Sequence, residues 1–301
     1  MQSIEHRRLG SNGPEIPVLG FGAWPIGGGL GTVDKKTAIA TVRAAMDSGI
    51  TLVDTAEGYR SSESLVGEAL KGGYRGRCFL ATKATFDFTP RGIRKALENS
   101  LRALRVDHVD LYQIHSWNPE VPVEQSLEEM QKLKEEGKIA SIGVSNFLPE
   151  HMERALKVCA VSANQVKYSL LFREIEGGTV DFCARNGIGI LVHSPLAKGL
   201  LTGRYSPEST FPEDDERSGF PDFKGALFAR HLSRAGALAA LAREKGISLV
   251  QLAIAWTLRL PVVSCTLVGA KNPRQLSEHV RAAAVKLSAA ELERIEAILR
   301  E

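Results

Sequence analysis

Residues 90–115 read PRGIRKALENSLRALRVDHVDLYQIH. The first part places Ile93, Leu97, Leu101 and Leu104 at helical spacing, which predicts an amphipathic helix over Pro90–Leu104. The second part, His108–Ile114, is a short apolar run, and it closes on an ionisable side chain, His115. The same alternation runs through the chain. Further apolar runs are Pro17–Gly22, Thr51–Asp54, Cys78–Thr82, Ala140–Val144, Ala163–Val166, Gly189–His193 and Val262–Val268, which makes eight in all. They put Val, Ile and Leu on consecutive positions, as parallel strands buried on both faces do. Lys35–Ser48, with Ala38, Ile39, Val42, Ala45 and Met46, and Val123–Glu135, with Leu127, Met130 and Leu133, repeat the helical spacing. Eight strands alternating with helices predict either a closed parallel barrel or a doubly wound sheet.

Three additions decorate the alternation. Ser11-Asn12-Gly13, inside Leu9–Val18, is a turn signal between two short extended pieces and predicts a β-hairpin before the first barrel strand. The interval 197–230 after the seventh run is long and rich in Pro, Gly and acidic residues, the mark of a long functional loop. Two helices, 231–245 and 248–259, then precede the last strand. Ser288 and Glu291 form a capping-box pattern at the start of an extra C-terminal helix, Ala289–Arg300.

Composition narrows the class. A chain of 301 residues suggests two domains at about 150 residues each. No linker or change of composition divides it, so one barrel domain over 1–301 is expected. Hydrophobic residues make up 44% and charged residues 24%, which fits a folded globular chain. The net charge of +3 gives no electrostatic footprint for nucleic acid. Cys78, Cys159, Cys183 and Cys265 are scattered and form no Cys-x-x-Cys pair, which argues against a disulfide scaffold or a zinc site. His6, Arg7 and Arg8 have no apolar run behind them, so no signal peptide is expected. No apolar stretch reaches the ~18 residues of a membrane span. A cytoplasmic protein is therefore expected.

In a parallel barrel, chemistry gathers where strands end. The residues closing the runs are Gly22, Asp54, Lys83, His115, Ser145 with Asn146, Gln165, His193 and Gly269. Taken singly, Asp54 reads as a helix cap, Lys83 as a solvated loop lysine and His115 as a structural histidine. Together with Tyr59 they make a working set. An ammonium beside a phenol stabilises the phenolate and is expected to lower the Tyr59 pKa. A carboxylate keeps the lysine charged, and a neutral histidine can orient a carbonyl oxygen. Such a set suits protonating an oxyanion as it develops at a carbonyl. No P-loop and no Gly-x-Gly-x-x-Gly run exists, since Gly27-Gly28-Gly29-Leu30-Gly31 and Gly20-Phe21-Gly22 both miss the pattern. The doubly wound fold thus lacks its phosphate loop. No His-Glu-x-x-His or similar cluster exists, so no metal is expected.

At these residues the sequence resembles the aldo-keto reductase family, over nearly the whole chain and in order. Asp54-Thr55-Ala56-Glu57-Gly58-Tyr59, Thr82-Lys83 and Leu111-Tyr112-Gln113-Ile114-His115 resemble its three catalytic segments. The resemblance implies a (β/α)8 TIM barrel with NADP(H) extended across its C-terminal mouth. It implies that Tyr59 protonates the carbonyl oxygen, that Lys83 and Asp54 tune Tyr59, and that His115 orients the substrate. Ser145 and Asn146, with Gln165, match the residues that bind the nicotinamide carboxamide. Ser194, Pro195 and Leu196, with Lys198, Gly199 and Leu201, match the pyrophosphate side. The stretch Gly269–His279, including Lys271, Arg274, Gln275, Glu278 and His279, matches the part that holds the adenosine and its 2′-phosphate. Gly22 and Trp24 complete the cofactor-facing set. The resemblance also shows departures. His193 stands where the family usually stacks Tyr or Trp on the nicotinamide. Gln275 replaces a frequent arginine, and His279 a frequent asparagine. Lys271 and Arg274 remain to favour NADP(H) over NAD(H).

Trp24, Tyr59, His115, Trp117 and Phe147 follow strand ends and are expected to face the substrate, a carbonyl or alcohol compound with an apolar or ring-shaped body. Segment 204–228, with Phe211, Phe220 and Phe223, is expected to act as a lid. Two other readings stay open. One is an NADPH-binding sensor subunit with slow turnover. The other is a barrel isomerase or aldolase using Lys83 as a Schiff-base nucleophile.

Overall fold

The structure, a computed structural model, describes residues 4–300. Eight parallel strands close a barrel: β3 (Leu19–Gly22), β4 (Leu52–Asp54), β5 (Phe79–Ala84), β6 (Val109–Ile114), β7 (Ile139–Ser145), β8 (Ala163–Lys167), β9 (Gly189–His193) and β10 (Val263–Val268). All eight expected runs are strands, with ends displaced by at most two residues. The closed ring is the (β/α)8 TIM barrel, and β10 pairs with both β9 and β3 to seal it. Helices α1 (Lys35–Asp47), α2 (Ser62–Ala69), α3 (Pro90–Leu104), α4 (Val123–Glu135), α5 (Pro149–Leu156) and α6 (Thr179–Asn186) follow successive strands. Then come α7 (Gly225–Glu244), α8 (Leu249–Thr257), α9 (Pro273–Ala282) and α10 (Ala289–Arg300). Asp34 caps α1 by accepting from Thr37 N, and Thr89 caps α3 by accepting from Gly92 N. Ser288 and Glu291 exchange hydrogen bonds at the start of α10.

The period of two along each strand divides the inside of the barrel into layers. Leu52, Ala81, Leu111, Ala163, Leu191 and Cys265 form a separate buried cluster in its lower part. The hairpin strands β1 (His6–Arg8) and β2 (Glu15–Pro17) lie beneath them, and Leu9 and Ile16 join that cluster as a plug. The first hairpin strand thus precedes Leu9 rather than starting there. Ser11 N donates to Gly187 O and Ser264 Oγ to Arg8 O, which fixes the plug to the barrel's bottom. Gly20 leaves the room that these side chains need, because a Cβ there would lie 2.7 Å from both Leu52 and Leu267. Two positions higher, the inward residues turn polar: Asp54, Lys83, Gln113 and Gln165. The alternate, outward residues pack with the helices in the main core.

The connection after β9 does not run free. It holds short turns of 3-10 helix at Glu216–Gly219 and Pro221–Phe223, and α7 begins at Gly225, six residues before the expected helix. Tyr205, Phe211 and Phe223 pack edge to face, with ring centroids 5.0–6.2 Å apart. Among the described residues no helix is long and apolar enough to cross a membrane, and no cluster of three or more His, Cys, Asp or Glu could hold a metal ion.

Candidate active site

Four strand ends converge at the C-terminal mouth. Lys83, fully buried on β5, donates from Nζ to Asp54 Oδ1 at 2.5 Å, to Thr55 O at 2.9 Å and to Tyr59 Oη at 3.4 Å. The other carboxylate oxygen of Asp54 accepts from Gln165 Nε2 at 2.9 Å and Gln113 Nε2 at 3.2 Å. Gln113 lies beside Lys83 in the strand register, and its place two residues before His115 was the available sequence signal. The His115 ring lies 5.5 Å from that of Tyr59, and the Trp24 indole meets Tyr59 edge-on at 4.9 Å.

Electrostatics correct one expectation. Burial raises the Tyr59 pKa, Lys83 pulls it down and Asp54 pushes it up; the net shift is upward, not downward. Tyr59 therefore keeps its proton at neutral pH, and Lys83 limits how far burial raises it. Burial opposes the charge on Lys83, but Asp54 and then Tyr59 outweigh it and hold the lysine above its ordinary value. Burial, with Lys83 nearby, pushes His115 down to about 3, so its imidazole is neutral.

A cleft of about 750 Å³ runs from this cluster across the barrel. Near the chemistry it is lined by Gly22, Trp24, Asp54, Tyr59 and His115. Its middle is walled by Ser145, Asn146, Gln165 and His193, then by Ser194, Pro195, Leu196, Lys198 and Gly199. Its far end is formed by Gly269, Lys271, Gln275, Glu278 and His279. Among the described residues six non-glycine ones have left-handed φ, and five of them (Arg60, Asn146, Ser194, Ala197 and Lys198) lie in the connections at this mouth. Such backbone costs of order 1–3 kcal/mol per residue and collects at functional sites. His193 spans the middle, with Nδ1 3.1 Å from Ser194 Oγ and Nε2 3.1 Å from Asn146 Oδ1.

Some expected residues lie elsewhere. Phe147 is buried behind the wall, because Asn164 hydrogen-bonds its backbone N and O and packs the segment inward. Trp117 stacks face to face on His151 at 3.9 Å and meets Phe147 edge-on. Neither lines the cleft. Leu201 is buried beneath it, and Arg274, on the first turn of α9, is not among its lining residues. Of the three lid phenylalanines only Phe220 reaches it. In their place the cleft gains Thr85 and Lys167 at strand ends, and Arg204 and Arg217 from the segment expected to act as a lid.

The acidic run of the long connection closes over the cleft. Glu216 Oε1 accepts from Lys198 Nζ at 2.5 Å and Trp24 Nε1 at 3.0 Å. Lys271 Nζ donates to Leu30 O, and Arg217 pairs with Asp215. At the far end His279, 4% exposed, has an Nδ1 without a hydrogen-bond partner among the described residues. A buried polar atom left unpaired is costly, so it marks a place where a polar ligand fits. Cations in the middle, an orphaned ring nitrogen at one end and a proton-donor cluster at the other suit an extended dinucleotide.

A sequence model described as the Aldo/keto reductase family matches residues 18–300. The chain belongs to that family. Aldo-keto reductase YhdN of Bacillus subtilis (strain 168) is 39% identical over 287 residues, covering 91% of this chain and 87% of that protein. The aldo-keto reductase yakc, named with NADP(+), of Schizosaccharomyces pombe is 33% identical over 310 residues, covering 97% and 91%. The solved glycerol dehydrogenase AKR11B4 from Gluconobacter oxydans superposes with a TM-score of 0.89 at 33% identity, covering 99% of this chain and 96% of that one. In this aldo-keto reductase His193 and His279, the two histidines expected at cofactor-facing positions, both line the cleft.

Proposed function

We propose that this aldo-keto reductase reduces aldehyde or ketone carbonyls to alcohols, or runs the reverse oxidation, with NADP(H). The observation that carries the reading is a buried lysine that touches both Asp54 and the Tyr59 hydroxyl, with a neutral His115 in the same mouth. NADPH, when bound, supplies hydride to the carbonyl carbon. Tyr59 holds the proton that the carbonyl oxygen takes up as charge develops on it. Lys83, 3.4 Å away, stabilises the phenolate left behind, and Asp54 with its two glutamine donors keeps Lys83 in place. Ser145, Asn146 and Gln165 would hold the carboxamide of the nicotinamide, Lys198 would meet the pyrophosphate, and Lys271 with Arg204 would meet the adenosine end. Trp24 and Phe220 form apolar walls that suit a substrate with a ring or chain body.

The same observation weighs against the Schiff-base reading, since Lys83 is fully buried, paired and raised in pKa, and a nucleophilic amine must be free and neutral. The test is NADPH consumption with a panel of aldehydes, ketones, sugars and pyridoxal, repeated with NADH. Steady turnover with some carbonyls supports the reading. Tight NADPH binding with no turnover across the panel would favour a sensor subunit.

A further inference from the structure

Thr85, the first residue after β5, is held from two sides. Its backbone N donates to Glu57 Oε2 at 3.0 Å. Its hydroxyl lies 3.2 Å from Gly58 N, which can only donate to it, and 2.8 Å from His115 Nδ1. The approach of Gly58 depends on its missing side chain, because a Cβ there would lie 2.7 Å from Thr85 Cγ2 and 3.1 Å from its Oγ1. The hydroxyl has one proton to give, and Nδ1 is the acceptor beside it. If Nδ1 carried the imidazole proton instead, the hydroxyl would accept twice and its own proton would have no acceptor among the described residues. Among the described residues, only one arrangement gives every one of these groups a protein partner.

We propose that Thr85 is a positioning residue that fixes His115 in the tautomer protonated at Nε2. The Nε2 atom has no protein partner among the described residues, and His115 lines the cleft. A neutral imidazole locked this way presents an N–H to the oxygen of a bound carbonyl rather than a lone pair. That lone pair would repel the oxygen and compete with Tyr59 for the proton. The role of the N–H in turnover rests on the reductase reading above; the tautomer does not. Neutrality at working pH is supported by the burial that lowers the His115 pKa to about 3.

The experiment is a nitrogen-15 spectrum of the histidine-labelled protein with NADPH bound, with His115 assigned through His115→Gln. Wild type is expected to show a pyrrole-type Nε2 and a pyridine-type Nδ1. Thr85→Val should move His115 towards a mixture of tautomers, and Thr85→Ser should restore the wild-type pattern. In the same variants Thr85→Val should lower kcat/KM for a carbonyl about tenfold, the effect of losing roughly one hydrogen bond, with the NADPH Kd unchanged. Serine should recover most of that loss. A pyrrole-type Nδ1 in the wild type overturns the proposal even if no Thr85 variant folds, and so does an unchanged His115 spectrum in Thr85→Val. A wild type with the expected tautomer but no turnover of any carbonyl would sink the reductase reading and leave the tautomer assignment standing.

Discussion

Lys83 and Asp54 form a 2.5 Å ion pair inside the top of the barrel, with Lys83 sealed from water and Asp54 2% exposed. Breaking a buried pair by removing one partner leaves an uncompensated charge and costs about 3–5 kcal/mol. Lys83→Met and Asp54→Asn should each lower stability on that scale. The double substitution should cost clearly less than the sum, because the second change removes the charge stranded by the first. Urea unfolding of the three variants provides the cycle. Additive losses would show that the two side chains do not share one interaction.

Tyr59→Phe removes the acid and leaves the ring in its place against Trp24 and His115. Turnover is expected to fall by about 10²–10⁴-fold, the usual contribution of a positioned acid, with the NADPH Kd unchanged within about twofold. The raised Tyr59 pKa adds a second expectation. Since burial holds the phenol above its ordinary value near 10, carbonyl reduction should stay level from about pH 6 to 9. Initial rates across that range check it. An alkaline fall centred well below pH 9 would point to a phenol that ionises early.

The parts that the sequence made legible share a physical cause. Every barrel strand is buried on both faces, so each shows as an apolar run, and its last inward residue must face the mouth. That is why Asp54, Lys83, His115, Gln165 and His193 could be placed from run ends alone. Phe147 and Trp117 lie off the cleft because they stand past the strand, where the period of two no longer fixes direction; a hydrogen-bonded Asn164 turns one inward and His151 covers the other. Thr85 and Lys167 line the cleft through contacts that no spacing reveals, whereas Phe220 and Arg204 lie in the segment expected to close over it. The upward shift of Tyr59 was hidden for another reason: the neighbouring cation is visible in the sequence pattern, but the depth of burial that outweighs it is not.

Three histidines in the cleft wall make stability sensitive to acid. Burial is the first cause in each, lowering His115 and His193 to about 3 and His279 to about 4. Each folded value lies below the unfolded value near 6.5, so between those values the unfolded chain binds more protons. Stability is then fully present above pH 6.5 and is lost as pH falls through the folded values, about 4 for His279 and about 3 for His115 and His193. Each such histidine contributes a slope of up to about 1.4 kcal/mol per pH unit. Between about pH 6.5 and 4.5 His151, also lowered by burial, adds to the slope and Glu63, raised by burial, opposes it, so the share of one histidine is read as the difference between wild type and its variant. His279→Asn should remove about one proton from the slope of unfolding free energy in that window. Urea midpoints at pH 5 and 7 for both proteins measure it. An unchanged slope would mean that His279 titrates normally in the folded chain.

Choice of nucleotide should depend on Lys271 and not on Arg274. Lys271 lines the far end of the cleft, where burial and Arg217 lower its pKa, while Arg274 is not among the lining residues. A hydrogen bond from a cation to a phosphate is worth about 1.5–3 kcal/mol, and NADPH carries a 2′-phosphate that NADH lacks and that Lys271 would meet in the proposed binding mode. Lys271→Ala should therefore raise the NADPH Kd by about tenfold or more and leave the NADH Kd within about twofold. Arg274→Ala should change neither by more than about twofold. Arg204, whose charge reaches His279, should behave like Lys271 with a smaller effect, because its side chain is more exposed to solvent and screened. Fluorescence titration with both nucleotides reads all three variants. Equal losses for NADPH and NADH in Lys271→Ala would place the lysine at the pyrophosphate that both share.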